Sequence, residues 1–94
     1  NKKTISALKK FASKGYEVKI VTSRHGTGNH KKDVATFVKK HNLPVKDIIF
    51  TNGKYKADTL ERIGSVLHYD DDTDELSRIK SKKIKTVHIR HPLD

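Results

Sequence analysis

Cysteine, methionine and tryptophan are absent from this 94-residue chain, proline occurs twice, and aromatic residues make up 6% of it. Without cysteine there is no disulfide framework, no thiolate metal ligand and no sulfur nucleophile. The fold must rest on an ordinary core, as in a reducing compartment, and the cytoplasm is the expected address. Long hydrophobic runs are missing as well. The best of them, residues 18–21 interrupted by Lys19 and the triplet 48–50, fall far short of the roughly 18 apolar residues that a membrane-spanning helix needs, so no membrane partner is expected. The opening Asn-Lys-Lys-Thr-Ile-Ser is basic but has no apolar stretch behind it, so no signal peptide is expected. A start without Met predicts processing or truncation. The length bounds the chain to one small domain, 1–94.

Positive charge, by contrast, is abundant. Lys and Arg number 21 against 11 Asp and Glu, a formal net charge of +10. Charge of that sign draws anions: nucleic acid, phosphorylated metabolites or an acidic surface. The acids are unevenly spread. Asp70, Asp71, Asp72, Asp74 and Glu75 fall within positions 70–75, which hold no Lys or Arg, leaving 21 basic against 6 acidic residues, +15, elsewhere. Carboxylates so close repel one another unless a cation or basic neighbours offset them, which makes the run a metal-site candidate on electrostatic grounds. The plainer alternative is a helix start, where acids favour the amino end and Asp72 or Thr73 is the N-cap. A cap, however, uses one or two acids, and this run holds five.

Hydrophobic spacing predicts alternating elements. Ile5, Leu8, Phe11 and Ala12 form one stripe of a helix over 4–14, ended by Gly15. Residues 17–22, rich in β-branched side chains, predict a strand, and the polar stretch 23–30 a loop. A helix over 31–41 follows, with Val34, Phe37 and Val38 inward and Asn42 and Pro44 as its stop. Strands are expected at 47–50, 66–69 and 85–89, helices at 56–63 (Leu60 and Ile63 inward, Gly64 the stop) and 73–81 (Leu76 and Ile79 inward), and a tail with Pro92 closes the chain. The alternation implies an α/β fold: a Rossmann-like, three-layer parallel sheet with right-handed crossovers and helices on both faces. In such a sheet ligands bind at the carboxyl ends of strands. Two polar groups leave strands there, Thr22-Ser23-Arg24 and Asp70-Asp71-Asp72. A hydroxyl and backbone amides can hold a phosphate, and carboxylates a hard cation such as Mg²⁺ that shares its oxygens. Together they describe a phosphoryl site.

These features resemble the haloacid dehalogenase-like (HAD) phosphatase superfamily. Its second motif, a hydrophobic strand ending in Thr or Ser, is matched by Val18-Lys19-Ile20-Val21-Thr22. Its third, a Lys at a helix start, is matched by Lys56 in Lys56-Ala57-Asp58-Thr59-Leu60, with Lys54 as the fallback. Its fourth, a hydrophobic strand ending in two acids, is matched by Val66-Leu67-His68-Tyr69-Asp70-Asp71. The resemblance implies that Thr22 and Lys56 contact the phosphoryl group, with Ser23 and Arg24 beside them on the substrate, and that Asp70 and Asp71 serve Mg²⁺. Thr22-Ser23-Arg24 and the Asp-Asp-x-Thr run also look like the phosphatase half of polynucleotide end-repair enzymes. The implied function is a Mg²⁺-dependent phosphohydrolase acting on a phosphomonoester, such as a nucleotide or nucleic-acid end.

One departure is serious. The family's first motif, a strand ending in Asp-x-Asp, supplies the nucleophile and the acid/base group, and here Asp-x-Asp occurs only inside the acidic run. That strand would sit at the sheet centre, between those at 17–22 and 66–69. Without it two strand pairs are expected, 47–50 beside 17–22 and 66–69 beside 85–89, each with an unpaired inner edge. A missing upstream segment is the expected donor, with a second chain or direct closure of the two pairs as the alternatives, and the isolated chain is expected to show no turnover. The alternative is a non-catalytic α/β module that binds nucleic acid or a protein partner. His25 with His30, or His88 with His91, could contribute to a zinc site but show no third ligand, and the lysine pairs along the chain could bind a nucleic-acid backbone or simply be solvated.

Overall fold

Helix α1 (Lys2–Ser13) carries its apolar stripe on one side. Ile5, Leu8, Phe11 and Ala12 are half-buried and the helix packs against the following strand. The structure, a computed structural model, describes residues 2–89, and these divide into two compact units, 2–53 and 54–89. In the first unit α1 ends in a Schellman turn. Gly15 takes φ 94°, its N–H donates to the Ala12 carbonyl (3.0 Å) and that of Tyr16 to the Phe11 carbonyl (3.1 Å). The Tyr16 ring meets Phe11 edge-on at 5.7 Å, the apolar contact that usually accompanies this turn.

Strand β1 (Val18–Thr22), helix α2 (Gly28–Lys40) and strand β2 (Val45–Phe50) complete the unit. The two strands run parallel, with Ile20 opposite Ile48 and Thr22 opposite Phe50. An irregularity follows Val18, where Val45 and then Asp47 are the successive partners, so Lys46 is the extra residue. Val18 and Val34 are the buried apolar residues. Asn42, at φ 48°, closes α2 as Gly15 closes α1, with N–H groups of Asn42 and Leu43 on the carbonyls of Lys39 and Val38. At the other end of the strands Lys46 donates to Glu17 at 2.9 Å, and this bond holds the Glu17 carboxyl below its ordinary range.

The second unit repeats the order: α3 (Ala57–Arg62), β3 (Leu67–Asp70), α4 (Thr73–Ser77) and β4 (Lys85–His88). β3 and β4 are parallel, from Leu67 opposite Lys85 to Asp70 opposite His88, and α4 packs on both. The core is Leu60, 2% exposed, with Ile84 and Thr59. Gly64 at φ 73° ends α3 with the same turn: its N–H and that of Ser65 reach the carbonyls of Glu61 and Leu60.

The described residues are thus α/β, with four helices and two parallel strand pairs, and the pairs are the two expected. Among the described residues each strand keeps one edge without a strand partner. Some boundaries differ from expectation. α2 starts at Gly28 instead of 31, β2 at Val45 instead of 47, and β3 lies one residue later than 66–69. α4 stops at Ser77, short of 81, because the N–H groups of Arg78 and Ile79 turn to the carbonyls of Glu75 and Leu76, three residues back, tightening the last turn. No described helix is long and apolar enough to cross a membrane. The tail with Pro92, and His91, lie outside the described residues.

Candidate functional site

The carboxyl end of β3 holds a buried ionic cluster. Asp70 is the last residue of the strand and is 4% exposed. Side chains alternate along a strand, so His68 and Asp70 share a face, and His68 Nε2 lies 2.8 Å from Asp70 Oδ2. Lys56, at the start of α3, donates to the same oxygen at 2.9 Å. Oδ1 accepts the Asp72 N–H at 3.0 Å. Glu75, also buried, accepts the backbone N–H of Lys56 at 3.1 Å and has Oε2 3.9 Å from its ammonium. Lys56 is therefore held from two sides, by one carboxylate at the strand end and another on α4.

Burial is the largest influence on the Asp70 carboxyl and pushes it up. The hydrogen bonds from His68, Lys56 and the Asp72 N–H, with the charge of Lys56, outweigh it and hold the group well below the usual carboxylate range. Asp70 is consequently ionised at neutral pH and can only accept. His68 must then donate from Nε2, which fixes its tautomer. Asp72 caps α4 as expected, accepting the N–H groups of Asp74 (2.8 Å) and Glu75 (3.4 Å). Beside the cluster, exposed Tyr55 donates to Asp74 at 2.9 Å while Arg78 lies 3.8 Å over its ring.

Asp71 differs from its neighbour. It is exposed, and its carbonyl, rather than its carboxylate, meets His88 Nε2 at 3.1 Å. A carboxylate offers about four acceptor directions, and Asp70 has three filled. Magnesium is commonly held by one or two carboxylates, with phosphate oxygens and waters completing its shell. By chemical type the Asp71 carboxylate and Asp70 Oδ1 are such oxygen donors, whereas Asp70 Oδ2 is taken by Lys56 and His68. Among the described residues no three His, Cys, Asp or Glu side chains form a metal-holding group, and that includes His25, His30 and His88.

In the first unit Thr22 ends β1. Its Oγ1 accepts the Arg24 N–H at 3.3 Å, which leaves the hydroxyl hydrogen as a donor. Ser23 and Arg24 are exposed. Their backbone is clasped from the turn after β2: Gly53 N–H donates to the Ser23 carbonyl at 2.6 Å and Asn52 N–H to that of Arg24 at 3.3 Å. Asn52, at φ 56°, also accepts the Gly26 N–H on its side-chain oxygen at 3.0 Å. Gly26 is packed so closely that a Cβ there would lie 3.2 Å from Phe50. The Thr22 loop is thus a braced turn, and Asn52 is its brace.

Of the residues the sequence singles out, Lys56, Asp70 and Asp71 come together in the second unit, and Thr22, Ser23 and Arg24 lie together in the first. Lys54 is exposed, and Lys56 is the lysine whose ammonium reaches Asp70 and Glu75. His68 and Asn52 were not anticipated, nor was the turn of Glu75, one of the five acids of the run, inward to Lys56. The period-two spacing of 68 and 70, and the Asp-x-x-Glu spacing of 72 and 75, which is that of a capping box, were the available signals. Compared with protein-family models, curated proteins and solved structures, the chain finds no match in any of the three.

Proposed function

We propose that the chain is the supporting part of a Mg²⁺-dependent phosphohydrolase domain of the haloacid dehalogenase-like type, with the Rossmann-like three-layer core of that family, acting on a phosphomonoester such as a nucleotide or a nucleic-acid end. The observation that carries this is the Lys56 ammonium, 2.9 Å from Asp70 at the carboxyl end of a parallel strand with exposed Asp71 next to it. A lysine fixed in that way keeps its position, so it neutralises phosphoryl oxygens without reorganising. The resemblance adds Thr22 as a hydroxyl donor and Ser23 and Arg24 as substrate contacts, residues of the first unit. Asp71, helped by Asp70 Oδ1, would hold Mg²⁺, which when bound polarises the phosphoryl group. The nucleophilic Asp-x-Asp segment is the part this proposal requires in addition, from an upstream segment or a second chain.

One observation favours the second assignment, a non-catalytic module: three of the acceptor directions of Asp70 are already taken by protein donors, as in a purely structural pin. Asp71 separates the two. Its side chain is exposed, so Asp71→Asn is expected to leave the melting temperature unchanged. Calorimetric titration of orthophosphate in the presence of MgCl₂ is expected to show binding that this variant loses by on the order of tenfold, about 1.4 kcal/mol. Binding that ignores both Mg²⁺ and the substitution would support the module instead.

A further inference from the structure

The second unit has oppositely charged ends. Five of its seven described carboxylates lie at 70–75, where β3 ends, while the segment entering β4 carries Arg78, Lys80, Lys82, Lys83 and Lys85 in eight residues, and no Asp or Glu occurs from 76 to 93. Leu67 pairs with Lys85 and Asp70 with His88, so this segment meets the sheet at the amino end, about 10 Å along the strands from Asp70. It is a shaped turn. The Ile84 N–H donates to the Ser81 carbonyl at 3.3 Å and the Lys83 N–H to Ser81 Oγ at 3.3 Å, which places Lys82 and Lys83 at the corner. Ile84, 7% exposed, anchors it. Arg78 is occupied by Asp74 and Tyr55. Lys80, Lys82, Lys83 and Lys85 are all exposed, and among the described residues none is ion-paired with a carboxylate.

We propose that this lysine turn is a docking surface for the phosphodiester backbone of a nucleic acid. Four hydrated, flexible ammonium groups with no enclosing pocket gain little from one small anion. They gain most from a polymer of phosphates, where each contact releases counterions. A protein partner fits less well, because lysine is depleted from protein interfaces. An anionic membrane also fits less well, since Ile79 and Ile84 are turned inward and the turn exposes no aromatic or large aliphatic side chain to insert. The proposal stands independently of the phosphoryl site.

The test is fluorescence anisotropy of a labelled oligothymidylate over about 0.05 to 0.2 M salt. It compares the chain with Lys80→Gln, Lys82→Gln, Lys83→Gln and Lys85→Gln combined, and with a control of equal charge change, Lys9→Gln, Lys10→Gln, Lys39→Gln and Lys40→Gln, all exposed helix lysines. The turn variant is expected to bind on the order of tenfold or more weakly and to lose about 0.7 from the salt slope per lysine removed. The control should stay close to the parent, and Arg at the four turn positions should keep the slope. Equal losses in both variants would overturn the proposal in favour of bulk charge. So would tighter, turn-dependent binding to poly-glutamate or to phosphatidylserine vesicles.

Discussion

Asp70→Asn is expected to destabilise the chain by about 3 to 5 kcal/mol, the usual result of removing one partner from a buried ion pair. The reason lies in what faces the carboxylate. Lys56, His68 and the Asp72 N–H are all donors, so an amide must aim its own N–H group at one of them, and the Lys56 charge loses its nearest compensation. For a chain of this size each kcal/mol is worth about 4 to 8 °C, so melting should fall by at least about 12 °C. The companion Lys56→Met strands Asp70 and Glu75, and the double variant should cost less than the sum, because neither residue then leaves the other unpaired. The pH dependence follows from the depressed Asp70 carboxyl. An unfolded Asp takes a proton near pH 3.9 and the folded one only at lower pH. The Asp70 contribution is thus full above about pH 4 to 5 and is lost as pH falls below that. Urea unfolding at a series of pH values should show this acid loss in the parent and its absence in Asp70→Asn. A variant as stable as the parent would contradict the cluster.

Leu60→Ala is the second large effect, expected at about 2 to 5 kcal/mol. Leu60 is the most buried side chain among the described residues, 2% exposed. It sits on a six-residue helix, too short to hold itself without tertiary packing. That helix starts at Lys56, so loosening its core also frees the lysine. The variant should lower the urea midpoint and weaken Mg²⁺-dependent phosphate binding together. A lowered midpoint with unchanged phosphate binding would separate Lys56 from the site.

The element order was legible because α1 and α2 carry apolar stripes and β1, β2 and β4 carry β-branched residues. Gly15, Asn42 and Gly64 mark three helix ends through one shared turn. Register was less legible. Val66 reads as strand, yet it is 59% exposed, and the pairing begins one residue later, which makes Asp70 the closing residue of β3. α4 reads longer than it is, since Ile79 stands at helical spacing from Leu76 but reaches its place through a tighter turn. In the candidate site the acids were visible as a run, but their division of labour was not. Only packing decides that Asp70 and Glu75 turn inward to Lys56 while Asp71 stays in water. The Asn52-Gly53 pair marks a turn, but the brace it forms depends on a left-handed backbone that brings the Asn52 side chain to Gly26.

The central claim is that residues of this chain bind a phosphoryl group with Mg²⁺. The most direct test is a two-dimensional amide NMR titration with orthophosphate, with and without MgCl₂. The expected result is Mg²⁺-dependent shifts at Lys56 and Asp71, with the turn lysines 80, 82, 83 and 85 unmoved. Shifts confined to lysines elsewhere, or none at all with Mg²⁺ present, would contradict it.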